Sequence, residues 1–282
     1  MPPAFLMCRP THYTIAYEIN PWMSLKRQAN RGRALAQWTR LYQLLTRQLG
    51  ARVRLLPPSP GVPDLVFTAN AGLIHGRTLI RSNFRHPERQ REEPLIERYF
   101  RRQGFRVVRL ASRHDFEGEG DALWVGRTLL FGFRFRSDAP VHEELARWLG
   151  ARVLPVELAD RRFYHLDTCF CPLGEEAALW FPRAFDRYGR RVIERLIPEP
   201  ISVSERDAAR FVCNAIPLPD PAGGRALVVH EGLSAPLRRR LARRGFRIYP
   251  LDLSEFLKAG GSAKCLVLRL SRDHFPFPAL AR

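Results

Sequence analysis

The apolar and polar residues along this chain repeat one structural unit. In each clear copy, apolar residues at helical spacing lead through a glycine into a short apolar strand, and a second apolar stretch follows after a loop. A glycine at this position is typical of the left-handed residue that ends a helix. The copies, each given as its first part and then its second, are residues 44–56 and 64–70, 99–110 and 116–124, 145–155 and 164–171, 241–251 and 260–265, and a looser copy at 185–203 and 211–216.

Five such units predict an α/β protein in which small mixed sheets form a closed ring with the helices outside. Each unit can bury its apolar faces only against its neighbours, which favours a propeller-like ring. The starts of the second strands would then face the central axis, where residues distant in sequence meet in one pocket. The proline-rich segment 57–63 lies inside the first unit, so nothing divides the chain, and we expect a single domain over residues 1–282.

Composition narrows the choice of partner and compartment. The net charge is +18, but the basic residues are almost all arginines spread along predicted helices, so we favour codon bias or a heat-adapted surface over nucleic-acid binding. No apolar run approaches the roughly 20 residues that a membrane helix needs, and the first nine residues are too short for a signal peptide. The five cysteines have no framework spacing, which fits a reducing compartment. We therefore expect a cytoplasmic protein with free thiols.

The residues expected at the axis match the requirements of attack on a guanidinium carbon. That group is a planar cation, so carboxylates such as Asp167 and Glu117 would hold it in a bidentate way. Its carbon is a poor electrophile and requires a thiolate, here Cys265, while the bound cation helps to lower the thiol pKa. His165 would protonate the leaving amine and then deprotonate water. The full set expected at the axis is Asn70, Glu117, Asp121, His165, Asp167, Asn214 and Cys265.

Three motifs resemble those of the guanidino-group-modifying enzymes, which include arginine deiminase, dimethylarginine dimethylaminohydrolase and the amidinotransferases. They are Glu117-Gly-Glu-Gly-Asp121, His165-Leu-Asp167 and Cys265 after Gly-Gly-Ser. The resemblance covers nearly the whole chain and implies the pentein fold, a five-bladed α/β propeller. It also implies Cys265 as nucleophile and His165 as general acid and base, with an acidic orienting residue in the first motif.

The first motif departs from the usual family pattern of an acid, two small residues and an aspartate. This chain has one extra residue there, so either Glu117 or Glu119 can be the catalytic acid. We favour Glu117, in a bulged strand.

The segment from Asp64 to Asn70 narrows the expected substrate. It ends in an amide where deiminases and dimethylargininases have a carboxylate, and an amide can bond either a guanidinium or the oxygen of a ureido group. With residues 17–23, this resembles the arginine dihydrolase group, which implies conversion of arginine to ornithine, CO2 and two ammonia. The expected substrate-binding residues are Asp64, Asn70, Glu119, Asp167, Asn20 (which alternatively only begins a turn), and Arg136 with Arg89 or Arg85 for the carboxylate.

Other functions stay open at this point. A dimethylarginine dimethylaminohydrolase or an arginine deiminase would stop at citrulline, and an amidinotransferase would admit an amine instead of water. A basic nucleic-acid-binding protein with an inert cysteine is the alternative from a different class. We expect a small-molecule substrate, no nucleic-acid or membrane partner, and no cofactor or metal, since Cys169 and Cys171 lack a second ligand pair. Whether the protein is a homo-oligomer is left open.

Overall fold

The computed structural model describes residues 2–270 and contains five three-stranded sheets. In sequence order the sheets are β15-β1-β2, β3-β4-β5, β6-β7-β8, β9-β10-β11 and β12-β13-β14. The strands are β1 Ala4–Cys8, β2 Arg52–Leu56, β3 Gly72–His75, β4 Thr78–Arg81, β5 Arg106–Val108, β6 Ala122–Val125, β7 Thr128–Phe133, β8 Arg152–Glu157, β9 Phe170–Pro172, β10 Ala177–Trp180, β11 Glu199–Ser202, β12 Ile216–Pro219, β13 Arg225–His230, β14 Phe246–Leu251 and β15 Leu268–Arg269.

All five sheets have the same mixed pairing. The middle strand is antiparallel to one neighbour and parallel to the other, as β4 is to β3 and β5. In the sheet that combines the first two strands with the last, β1 is antiparallel to β15 and parallel to β2. The predicted fivefold recurrence of small mixed sheets is therefore confirmed.

The helices connect the middle strand of each sheet to its parallel partner or lead into the next sheet. Their ends follow local chemistry: the Asn30 side chain accepts a hydrogen bond from Arg33 N at the start of the first helix, and Gly150 ends the fourth in the left-handed region. They are α1 Arg31–Gln43, which continues as a π-helical turn Leu44–Gln48, α2 Pro87–Gln90, α3 Glu93–Arg102, α4 Val141–Leu149, α5 Arg187–Leu196, α6 Glu205–Ala209, α7 Ala235–Ala242 and α8 Ser254–Leu257.

The apolar core lies between the sheets and the helices. Ile193 of α5 and Leu241 of α7 are buried in one apolar cluster with the strand residues Leu179 and Leu227. Burial of one such aliphatic side chain stabilises the fold by roughly 1.5–3 kcal/mol. Among residues 2–270, no helix is long and apolar enough to span a membrane.

The segments that enter the first strand of each sheet differ from the prediction. They were expected to be strands, but they form short helical turns at Thr68–Ala71, Gly118–Gly120 and Leu166–Thr168. The last strand is short, because only Leu268 and Arg269 pair with β1. Cys265 therefore lies in a turn, whose backbone bonds include Leu266 N to Ala263 O.

Hydrogen bonds join the five turns in a closed ring. Each turn bonds the next, and the last bonds the first, so residues from five distant parts of the chain are held around one centre. The five bonds are Asn70 Nδ2 to Glu117 O (3.2 Å), Leu166 N to Asp121 Oδ1 (3.0 Å), Asn214 Nδ2 to Asp167 O (3.0 Å), Cys265 N to Asn214 Oδ1 (3.1 Å) and Ala69 N to Cys265 O (3.2 Å).

Candidate functional site

An imidazole, a carboxylate and a guanidinium form one buried group inside the ring. His165 Nε2 lies 2.8 Å from Glu117 Oε2, and the same oxygen accepts a hydrogen bond from Arg136 Nη1 at 2.9 Å. Asp121 lies next to this group, and its Oδ2 accepts a hydrogen bond from the Ser137 hydroxyl at 2.7 Å. Residues at the third and fourth sheets therefore meet at His165.

Gly118 makes this arrangement possible. Its φ is +60°, and a Cβ there would lie 2.7 Å from Gly72 N, so a larger residue would collide with the neighbouring turn. The extra residue of the motif is accommodated in this glycine turn rather than in a bulged strand. As a result Glu117 reaches His165, whereas Glu119 Oε2 accepts hydrogen bonds from Lys264 Nζ (2.9 Å) and Arg269 N (3.2 Å). The structure does not bring Glu119 to His165.

The thiol of Cys265 lies beside Asp167 and Asn214. Asn214 Nδ2 is 3.1 Å from Cys265 Sγ, and Asp167 Oδ2 is 3.6 Å from the same sulfur. The turn approaches its surroundings closely, since a Cβ on Gly261 would lie 2.5 Å from Cε1 of Phe67. Burial raises the pKa of the Cys265 thiol, and the Asp167 carboxylate raises it further. At neutral pH the free thiol is therefore protonated.

Burial and neighbouring charges also determine the protonation state of His165, Glu117 and Asp167. Burial lowers the pKa of His165 to about 4, although the hydrogen bond to Glu117 opposes this, so the imidazole is neutral. Burial alone would raise the pKa of Glu117, but Arg136 and His165 outweigh it and hold that pKa well below its usual range. Burial raises the pKa of Asp167 to about 7, with Lys264 opposing the rise. Glu117 is thus charged, while the thiol and the imidazole are neutral.

Two buried carboxylate oxygens make no hydrogen bond of normal geometry within the described residues, although the Tyr17 hydroxyl lies close enough to Asp64 to lower the pKa of that carboxyl. They are Oδ1 of Asp64 and Oε1 of Glu117. The two side chains influence each other, because burial raises the pKa of Asp64 and the charge of Glu117 adds to the rise. An unpaired buried acceptor costs roughly 1–3 kcal/mol. A cation with several N–H donors would remove that cost.

The other predicted binding residues already have protein partners. Asn70 Oδ1 accepts a hydrogen bond from Arg89 Nη1 at 2.9 Å, and Arg89 also makes a bidentate ion pair with Glu92 at 2.8 and 2.9 Å. Arg136 donates to Ile19 O at 3.0 Å as well as to Glu117. Buried ion pairs of this kind leave Arg89 and Arg136 few free N–H groups for a substrate.

A cavity of about 560 Å³ opens beside this group. Its lining includes Asn20, Arg85, Arg136 and Tyr164. Asn20 does begin a turn, since its Oδ1 accepts from Trp22 N at 2.9 Å, but its Nδ2 also donates to Ala259 O at 3.1 Å. It therefore ties the wall of the cavity to the segment that leads to Cys265.

A second cavity, of about 90 Å³, shares no lining residue with the first. Its walls are mostly apolar and include Glu119 and Lys264. Glu119 therefore belongs to this smaller cavity rather than to the group around His165. Within residues 2–270, no set of three or more His, Cys, Asp or Glu side chains could hold a metal ion.

Sequence reasoning gave no role to three residues of the site. Tyr164 packs its ring 4.8 Å from that of His165 and donates its hydroxyl to Gly260 O at 2.7 Å, and Lys264 pairs with Glu119. Asn214, expected only to lie near the axis, bonds the sulfur itself. Tyr164 directly precedes His165, and Lys264 directly precedes Cys265. These positions in the sequence could have indicated that both residues lie in the site.

Comparison with known proteins gives consistent matches over nearly the whole chain. The family of eukaryotic N,N-dimethylarginine dimethylhydrolases matches residues 8–272. The bifunctional arginine dihydrolase/ornithine cyclodeaminase ArgZ of Synechocystis sp. is 45% identical over 276 residues, which are 96% of this chain but 38% of ArgZ. The N(G),N(G)-dimethylarginine dimethylaminohydrolase of Mycobacterium tuberculosis is 38% identical over 266 residues, covering 94% of this chain and 85% of that protein.

A solved structure extends this likeness to the fold. The N-terminal domain of ArgZ bound to its product, described as an arginine dihydrolase from cyanobacteria, matches with a TM-score of 0.89 and 44% identity. The match covers 96% of this chain and 98% of that domain.

Proposed function

The chain belongs to the N,N-dimethylarginine dimethylhydrolase family, and on that premise we propose that it hydrolyses free arginine to ornithine, CO2 and two ammonia. The observation that carries the proposal is the pair of buried oxygens on Asp64 and Glu117 that make no hydrogen bond of normal geometry. They lie in the group that also holds a thiol and a carboxylate-bonded imidazole. The choice of arginine rests on the 45% identity to ArgZ and on the amide at Asn70.

The substrate cation would be held by carboxylates. Glu117 offers a buried oxygen without a hydrogen bond, and Asp64 offers a second one that the Tyr17 hydroxyl approaches. Asp167 lies beside the sulfur, so the guanidinium carbon would be directed towards Cys265. The incoming positive charge also favours the thiolate, which burial disfavours in the free protein. The nucleophile would thus be activated mainly when substrate is present.

In the first half-reaction, His165 first accepts a proton and then donates it. His165 takes the thiol proton, the thiolate forms a C–S bond with the guanidinium carbon, and a neutral tetrahedral adduct results. His165 then returns the proton to one nitrogen, the C–N bond breaks, and ammonia leaves behind a thiouronium cation on Cys265. Glu117 stabilises the transient imidazolium through its 2.8 Å hydrogen bond.

Water completes the reaction. His165 accepts a proton from water as its oxygen bonds the carbon, the C–S bond breaks, and the sulfur leaves as a thiolate that is reprotonated, giving citrulline. A second round on citrulline releases the second ammonia and leaves a thiocarbamate, which hydrolyses to a carbamate that loses CO2. Asn70 uses one amide hydrogen on Glu117 O, so its second is available to bond the ureido oxygen.

A second function within the family is the release of citrulline as the final product. The 38% identity to the dimethylarginine dimethylaminohydrolase of Mycobacterium tuberculosis favours this alternative. Incubation with arginine, citrulline, dimethylarginine and agmatine separates the two. Ornithine with two ammonia per arginine supports our proposal, whereas accumulation of citrulline, or turnover of dimethylarginine alone, overturns it. An amine acceptor that replaces water in the products would indicate an amidinotransferase.

We also propose that residues 1–282 act as one catalytic domain in the cytoplasm, with arginine rather than nucleic acid as the partner. The chain spans 38% of the length of its ArgZ relative, so any activity beyond this domain lies outside the proposal. Sedimentation analysis would determine whether the domain forms a homo-oligomer.

The two glutamates of the first motif should differ strongly in their effect on turnover. Glu117→Gln should lower kcat for arginine by about 10²–10⁴-fold, because the imidazolium loses its charged partner. Glu119→Gln should stay within about tenfold of the wild type, because Glu119 contacts Lys264 rather than His165. Steady-state ammonia release measures both variants. An equal loss in the two would contradict the assignment of Glu117.

Arginine binding should strengthen as the pH rises through about 7. The pKa of Asp167 in the free protein is raised to about 7, so below that value the carboxyl is protonated and cannot balance the substrate cation. Calorimetric titration of an inactive Cys265→Ala variant should give a Kd that falls by up to about tenfold per pH unit below the pKa. Neutral citrulline is the control ligand and should show no such dependence. A flat profile for arginine would argue against Asp167 as its counter-ion.

A further inference from the structure

We propose that Asn214 is a further catalytic residue, which holds the turn that bears Cys265 and donates a hydrogen bond to the thiolate; this rests on the proposed function. Asn214 lies in the segment 211–214, which enters β12 of the fifth sheet, and it is fully buried. Its side chain contacts the sulfur that would form the covalent bond to substrate.

The Asn214 side chain makes four hydrogen bonds, two through each of its polar atoms. Oδ1 accepts from the backbone N–H groups of Ser262 and Cys265, both at 3.1 Å. Nδ2 donates to Cys265 Sγ at 3.1 Å and to Asp167 O at 3.0 Å. The backbone carbonyl of Asn214 also accepts from Lys264 N at 3.2 Å. One residue thus fixes both ends of the turn from Ser262 to Cys265.

The partners leave the amide only one orientation. Two backbone N–H groups require an acceptor on one side, and a carbonyl oxygen together with the sulfur requires a donor on the other. If the amide were flipped, N–H would face N–H and oxygen would face oxygen among buried groups. The N–H of Asn214 is therefore held towards Cys265 Sγ before substrate arrives.

This N–H opposes the effect of Asp167 on the sulfur. Asp167 Oδ2 lies 3.6 Å from Sγ and disfavours a second negative charge there. A hydrogen bond to an anion is about twice as strong as one between neutral groups, so the Asn214 donor favours the thiolate over the thiol. The role differs from that of Asp167, which would bind the substrate cation.

Aspartate at position 214 is an isosteric test of this role. In Asn214→Asp, one carboxylate oxygen can still accept from Ser262 N and Cys265 N. The other would face the sulfur and the Asp167 carbonyl, where it repels a thiolate. The variant therefore keeps the two hydrogen bonds that the side chain accepts from Ser262 N and Cys265 N. It replaces the N–H that faces the sulfur, which the proposal concerns, with an oxygen. Asn214→Ala removes all four, and Asn83→Asp is a matched control whose side chain instead bonds His114 O.

The direct readout is alkylation of Cys265 by iodoacetamide in the absence of substrate, followed by mass spectrometry of the peptide that contains Cys265. Only the thiolate reacts, so alkylation slows about tenfold for each unit by which the thiol pKa rises. We expect Asn214→Asp to react at least about tenfold more slowly at each pH tested, Asn214→Ala to react more slowly than wild type, and Asn83→Asp to match wild type. Simple loosening of the turn would expose the buried thiol and speed the reaction, which is the opposite sign.

Arginine turnover is the second readout. In both Asn214 variants kcat should fall by about 10²-fold while KM stays within about threefold, since the residue acts on the nucleophile rather than on substrate binding. Wild-type alkylation rates in Asn214→Asp and Asn214→Ala would overturn the proposal, as would unchanged kcat. If Asn214→Asp does not fold, as judged by circular dichroism, the sign of the change in Asn214→Ala decides. If wild type does not turn over arginine but the alkylation shift occurs, the proposed function fails while the contact of Asn214 with the thiolate stands.

Discussion

Replacing Cys265 with alanine should abolish arginine turnover and lower kcat by about 10⁴-fold or more, the scale of losses seen when a covalent nucleophile is removed. The other described thiols bond only backbone carbonyls or pack in apolar clusters: Cys169 faces the carbonyls of His165 and Leu166, and Cys8, Cys171 and Cys213 belong to the apolar core. Water alone cannot replace the thiolate, because the guanidinium carbon is a poor electrophile and the covalent step divides one difficult displacement into two.

Ammonia release and product identification measure this loss, and Cys171→Ala is the matched control. Both substitutions delete a buried thiol, but Cys171 Sγ bonds only backbone carbonyls, those of Pro172 and Ala215. The control should keep near-normal kcat, with a loss of stability of about 1 kcal/mol. Acid quenching during wild-type turnover should also trap an adduct on the peptide that contains Cys265. Retained turnover in Cys265→Ala, or an adduct on another residue, would remove the basis of the proposed mechanism.

Most of the fold follows from patterns that lie close together in the sequence. The glycines Gly50, Gly104, Gly150 and Gly245, which follow the repeated helices, all have φ values between 57° and 74°, in the left-handed region. Four of the five repeats carry this local signal, and the looser unit at 185–203, whose helix is followed by Ile197, follows the same order of helix and strands. The number of units and their order could therefore be predicted without knowledge of any long-range contact.

The turns at the axis could not be predicted in the same way. An apolar stretch such as 64–67 is buried whether its backbone is extended or helical, so its composition does not distinguish the two. Here the backbone hydrogen bond from Phe67 N to Asp64 O (2.9 Å) shows that the segment forms a turn. Similarly, the motif of Glu117 and Glu119 left two candidate acids, and only the left-handed Gly118 determines which one faces the imidazole.

The contacts of the substrate-binding candidates were also beyond sequence reasoning. Arg89 and Asn70 bond each other, and Arg136 bonds Glu117, so the predicted ligand groups form one linked network. Such links depend on which atoms meet after the ring closes. A network of this kind holds Glu117 in its charged form next to a neutral imidazole, and it leaves Glu117 Oε1 without a hydrogen bond among the described residues.

His165→Gln should lower kcat by about 10³–10⁴-fold while arginine still binds. Glutamine can keep a hydrogen bond to Glu117 but cannot take a proton from the thiol or from water, so both half-reactions lose their proton carrier. His142→Gln is the matched control, because His142 of α4 contacts the carbonyl of Ala139, just before that helix, and lies outside the site. Ammonia release measures turnover, and titration calorimetry measures binding. Normal turnover in His165→Gln would exclude the imidazole as general base.

The same residue makes stability depend on pH with a definite sign. The pKa of His165 is lowered to about 4 in the folded protein, against an ordinary value of 6.5. The unfolded chain therefore binds more protons between these values, so the contribution of His165 to stability is complete above about pH 6.5 and is lost as the pH falls towards about 4. Urea unfolding at pH values across this window should show a smaller loss of stability in His165→Gln than in wild type, because glutamine does not titrate. Equal losses would mean that the imidazole is not held neutral, and His165 could not then accept the thiol proton of Cys265.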